Sequence, residues 1–74
     1  MERFFISRPS AIALIATARK KLLADAGERG PSEAQPLLDR AAQLERLLLD
    51  VRACRIDAFE LTYPAPVYIT ISAD

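Results

Sequence analysis

The sequence predicts an α+β domain: an antiparallel helical hairpin packed on a small two- or three-stranded sheet, in the order β-α-α-β-β. Three observations carry this prediction. Two long segments repeat apolar residues at helical spacing, with a glycine- and proline-containing connector between them. Residues 67–73 (VYITISA) alternate sides with a two-residue period and are rich in β-branched side chains. Residues 1–7 (MERFFIS) hold two adjacent Phe and an Ile with no helical spacing, which reads as a short strand.

Each element has a local reason. Ser7-Arg8-Pro9-Ser10 supplies a helix start, because Ser7 or Ser10 can accept from a free N–H and Pro9 lacks only a donor that has no partner there. The first helix is expected over about residues 9–26. Ala11, Ile15, Ala18, Leu22 and Ala26 recur on one face. Ile12, Leu14 and Leu23 widen it, and Thr17, Lys20, Lys21 and Asp25 lie opposite. Gly27 and Gly30-Pro31 end the helix. Ser32 with Gln35 forms a capping-box pattern for the second helix, although Pro36 can delay regular helix to that position. Ala34, Leu37, Ala41, Leu44, Leu48 and Val51 then follow a heptad-like stripe. The short connector implies antiparallel helices.

The end of the second helix is the ambiguous point. A stripe through Leu47, Val51, Cys54, Ala58 and Leu61 allows a mainly α alternative in which helix two continues to about residue 61. The alternation of Phe59, Leu61 and Tyr63 against Ala58, Glu60 and Thr62 favours a strand after an end near Cys54. Residues 63–66 read as a turn, since neither Pro64 nor Pro66 suits a central strand.

Seventy-four residues make a single domain, residues 1–74. A chain this short buries only about 60–65% of its unfolded surface, so compensation from a disulfide, a metal or a partner is expected. One cysteine and no histidine remove an intramolecular disulfide and a zinc site. Self-association remains, and the 51% hydrophobic content can supply an interface. The single Cys54 and the absence of a membrane-span-length apolar run point to a cytoplasmic protein. Ala16-Thr17-Ala18 after an apolar stretch imitates a signal-peptide cleavage site, but Glu2 and Pro9 in the leader argue against one. Arginine far exceeds lysine and asparagine is absent, a bias expected of a high-GC genome, bacterial or phage.

For chemistry, the inventory is short. Without histidine there is no Ser-His-Asp or Cys-His arrangement. Cys54 reads as a buried, inert hydrophobe on helix two. Gly27-Glu28-Arg29-Gly30 is a helix exit and turn, not a phosphate cradle, and Asp39, Glu45 and Asp50 sit among arginines on a solvated helix face. No enzyme, no cofactor and no metal is expected.

The informative anomaly is Leu47-Leu48-Leu49, which spans about 200° of helix circumference. Leu38, Ala42, Leu49 and Ala53 form a second apolar stripe, offset from the heptad stripe. Either helix one and the sheet cover one stripe each, or another chain covers one of them. Leu38, Leu47 and Leu49 are therefore expected interface residues. Phe5 and Tyr68 join them on the outer sheet face, where residues 67–73, if an edge strand, can also pair with a partner strand. Arg19, Lys20, Lys21 and Arg29 form the basic patch for an anionic partner. A helix C-terminus attracts cations without any ligand, Asp25 and Glu28 lie close by, and the 10 basic and 10 acidic residues balance.

The expectation is a small non-catalytic binding protein, a regulator, inhibitor or assembly factor. It acts through protein–protein contacts, as a homo-oligomer and away from membranes. The alternative is a nucleic-acid-binding regulator with a dimeric basic patch.

Overall fold

The computed structural model describes residues 2–62 and 65–72. The order is β1 (Glu2–Ile6), α1 (Arg8–Gly27), α2 (Pro31–Arg52), β2 (Ala58–Leu61) and β3 (Val67–Ile71). The α+β hairpin-on-sheet class is thus present, and residues 58–61 form a strand, not a helical extension. Met1, Tyr63, Pro64 and Ala73, which the sequence placed in strands and a turn, lie outside the described residues.

Ser7 caps α1: its Oγ accepts from the Ser10 N–H at 3.3 Å, and Arg8 and Pro9 occupy the first two helical positions. Ala11, Ile15, Ala18, Leu22 and Ala26 are buried, the face that the spacing predicts. Ile12 packs against the core. Leu14 and Leu23 are instead exposed, because α2 and the sheet cover an arc too narrow to reach them.

The capping box expected at Ser32 does not form. Helix α2 begins at Pro31, capped by Gly30 without a side-chain hydrogen bond, and Gln35 Nε2 donates to Asp39 Oδ1 at 2.9 Å. The reason is local. Pro31 forces Gly30 into extended backbone (φ −67°, ψ 162°), which makes Gly30 the helix boundary two residues before Ser32. Pro36 sits inside the helix, past the first turn.

The far end of α2 is closed more firmly. The Arg55 N–H donates to the Asp50 carbonyl at 2.9 Å and the Cys54 N–H to the Val51 carbonyl at 3.1 Å. This is a Schellman closure, with Cys54 at φ 59° where glycine is usual. The hydrophobic contact that often accompanies such a closure is replaced by an ion pair, Arg55 Nη1 to Asp50 Oδ1 at 3.1 Å. Cys54 is exposed, correcting the expectation that it is buried: the left-handed turn carries it off the helix just before the core would receive it.

The sheet has the order β1-β3-β2. β3 is central, parallel to β1 and antiparallel to β2. The condition for strand pairing with a partner at this segment is therefore not met: β3 is not an edge strand, because both its sides are taken once the hairpin returns the chain beside β1. Phe59, Leu61, Ile69 and Ile71 point to the helices and join Ala11, Ile15 and Val51 in the core. Each deeply buried aliphatic side chain contributes about 1.5–3 kcal/mol, so this single cluster is the main source of stability. A 22-residue helix is about 33 Å long, whereas a five-residue strand reaches roughly 17 Å. The turn end of the hairpin accordingly projects beyond the sheet.

Arginine 8 ties the layers together. Its Nη1 donates to the Val51 carbonyl at 2.7 Å and reaches the Ile56 carbonyl at 3.4 Å. Its Nη2 pairs with Asp57 Oδ1 at 2.9 Å. One guanidinium thus supplies a cation to the C-terminus of α2 and fixes the start of β2 against the start of α1.

Candidate docking surface

The three consecutive leucines do not share one environment. A residue turns about 100° around the helix axis, so Leu47, Leu48 and Leu49 cannot share one neighbour. Leu47 and Leu48 pack against the core. Leu49 points away from α1 and the sheet and is 54% exposed. Leu38, on the same side about three turns earlier, is 42% exposed, and Ala42 and Ala53 are exposed too. Helix one and the sheet both cover the heptad stripe instead of dividing the two stripes between them. The second stripe lies about 120° round the helix from the buried one.

Charges frame this stripe. Glu45 and Arg46 sit on its two sides at mid-length, with Asp39 and Arg52 further out, all exposed. Glu45 has one long ion pair within the chain, Arg19 Nη2 to Glu45 Oε2 at 3.9 Å. Exposed pairs at that distance contribute little and are easily rearranged.

Phe5 and Tyr68 do lie on the sheet face opposite the helices. Rows run across the strands in register: Arg3, Tyr68 and Glu60, then Phe5, Thr70 and Ala58. The Arg3 guanidinium stands 5.7 Å from the Tyr68 ring centroid, a cation–π contact, and Tyr68 is only half-buried. Phe5 is 77% exposed. Phe4, which the sequence did not single out, is 43% exposed on the helix-facing side; its position on edge strand β1 leaves it half-covered. Only the strand order reveals this, since periodicity assigns Phe4 to the inner face without showing that the face ends there.

The four basic residues do not form one free patch. Arg19 faces Glu45, and Arg29 Nη1 lies 3.8 Å from Glu33 Oε2. Lys20 and Lys21 remain exposed on α1. Lys21 lines the rim of an apolar cleft of about 280 Å³ with Leu14, Ala18, Leu61, Ala65 and Val67. A second cleft of about 350 Å³ lies on the α2 side, between Leu22, Leu44, Leu47, Arg40 and Glu60. Both are open grooves where the hairpin leaves the sheet; Thr17 also lines the first, and Gln43 and Thr62 the second. Among the described residues, no three His, Cys, Asp or Glu side chains are placed to hold a metal, and no helix is long and apolar enough to cross a membrane.

The fold and surface define a small α+β domain that leaves apolar side chains of α2 and β1 uncovered. Compared with protein-family models, curated proteins and solved structures, the chain matches none.

Proposed function

We propose that this chain is a small non-catalytic binding protein that acts through protein–protein contacts and associates with itself. One observation carries the reading: the Leu38, Ala42, Leu49 and Ala53 stripe is left open by a fold that has already used both of its layers to cover the other side of α2. Both leucines are already about half-covered, so burying what remains is worth roughly 1.5–3 kcal/mol in all, a sizeable part of the stability of a small domain. An exposed, unpaired Cys54 fits a reducing, cytoplasmic setting. The lack of histidine fits a role in occluding or bridging surfaces, as a regulator, inhibitor or assembly factor, rather than in acid/base chemistry.

The nucleic-acid reading has weaker support, because Arg19 and Arg29 face carboxylates and the remaining lysines have no interleaved aromatic side chains. Light scattering over a concentration series tests the preferred reading. A mass rising above that of one 8.2 kDa chain supports it, and a constant single-chain mass contradicts self-association. Titration with duplex DNA and single-stranded RNA at low salt is expected to give no binding. Salt-sensitive binding lost in Lys20→Ala and Lys21→Ala would put the nucleic-acid reading in its place.

A further inference from the structure

We infer that the cleft between α2 and the free edge of β2 binds an extended peptide, which pairs antiparallel with β2 and sets apolar side chains under α2. The cleft is separate from the outer stripe of α2, and the inference does not depend on self-association.

The first ground is the direction of the backbone. The Ile71 N–H donates to the Asp57 carbonyl at 2.7 Å, and along an antiparallel ladder residues facing the partner strand alternate with residues turned away. Continuing the register of β2 on β3, Phe59 and Leu61 also face β3. Ala58 and Glu60 turn their N–H and C=O groups outward, and β2 is an edge strand. Among the described residues, nothing takes up these outward groups. A second extended backbone repeats donors and acceptors at the same two-residue spacing, so an added strand satisfies them.

The second ground is that the cleft of about 350 Å³ opens at this edge. Glu60 and Thr62 line it on the sheet side, Leu22, Leu44 and Leu47 form its apolar part, and Arg40 stands on α2. Arg8 holds the Val51 carbonyl beside Asp57, so the end of α2 stands at the start of β2. Going back to Arg40 along the helix and on to Thr62 along the strand each covers about 16 Å, which brings Arg40 level with Thr62. In the added strand, the residue opposite Glu60 points to the outer sheet face, and its two neighbours point under α2. Glu60 favours a cation opposite it. Arg40 is exposed and has no ion pair among the described residues, so it favours a carboxylate at the Thr62 end. Antiparallel pairing, the more stable direction, then specifies the order acidic, any residue, apolar, basic, apolar. The other edge strand, β1, borders neither cleft, so a peptide there gains backbone bonds without a pocket for its side chains.

The test is an amide NMR titration of the full chain, at fixed low concentration, with the end-blocked peptide Asp-Thr-Val-Lys-Val-Thr. Saturable shifts are expected at Leu44, Leu47, Ala58, Glu60 and Thr62, with an affinity on the order of 100 µM for so small an interface. N-methylation of the peptide lysine, whose N–H faces Glu60, is expected to weaken binding about tenfold. N-methylation of either valine, whose N–H faces solvent, is expected to leave it unchanged. A peptide with its two charged residues exchanged is expected to bind about threefold more weakly, and to be preferred by the variant combining Arg40→Glu with Glu60→Lys. Both substituted residues are exposed, so this variant stays folded. No saturation at millimolar peptide, equal loss from all three N-methylations, or shifts centred on β1 would overturn the inference. Shifts of Ala58 and Glu60 on concentrating the chain without peptide would instead make a second copy the occupant and overturn it too.

Discussion

The two faces of α2 differ more than the two helices do. On the inner face, Ala41 and Val51 are buried and Leu44, Leu47 and Leu48 pack on the core. On the outer face, Leu38 and Leu49 carry side chains of the same type into solvent. Composition is therefore no guide to which leucine stabilises the fold; the rotation of the helix about its axis decides. That rotation is set at the C-terminal end, where Arg8 holds the Val51 carbonyl and the Schellman closure stops the helix at Arg52. The other end, capped by Gly30 without a side-chain hydrogen bond and carrying Pro36 inside the helix, does much less to fix it.

The contrast can be broken most directly by paired truncations. Leu22→Ala, in the buried seam between the helices, is expected to cost about 2–5 kcal/mol, enough to unfold much of a chain this small. Leu49→Ala is expected to change the unfolding free energy of the monomer by no more than about 0.5 kcal/mol. Urea denaturation at low protein concentration measures both. Equal losses would mean that Leu49 belongs to the core.

A smaller effect is expected at the anchor. Arg8→Ala removes a charged donor from the Val51 carbonyl and the ion pair with Asp57, and a loss of about 1–2 kcal/mol follows. Arg8→Lys is expected to recover only part of it, since one ammonium cannot reproduce the fork that serves a carbonyl and a carboxylate together. Full recovery by lysine would reduce the anchor to a simple charge effect. The smallest change sharpens the same end of the helix: Cys54→Gly removes the left-handed strain of a side chain at φ 59° and is expected to stabilise the chain by about 1 kcal/mol. A thermal melt of this variant below that of the unaltered chain would contradict the assigned backbone conformation.

Much of this molecule is legible in the sequence, for identifiable reasons. The α1 face from Ala11 to Ala26 and the strand at residues 67–71 follow from periodicity alone, because each buries a clean stripe. The doubled stripe on α2 is equally visible, but periodicity cannot say which side the rest of the chain covers; that depends on where α1 and the sheet stand. The central position of β3 and the half-open Phe4 depend on strand order, which pairs residues more than 60 positions apart in sequence and leaves no local trace. Cys54 was misplaced for a related reason. The sequence places the helix end near it but keeps it on the apolar stripe, while the closure that ends the helix relies on a backbone bond from Arg55 to Asp50 and a non-glycine residue in a glycine conformation. Arg8 looked like part of a helix start, and its partners lie more than 40 residues away.

The central claim is that the outer face of α2 is the surface through which this chain acts. A dilution series of amide and methyl NMR spectra tests it residue by residue. The account predicts concentration-dependent shifts at Leu38, Ala42, Arg46, Leu49 and Ala53, with Arg3, Phe5 and Thr70 unmoved. Spectra that do not change with concentration, or changes confined to β1 and the outer sheet face, would contradict it.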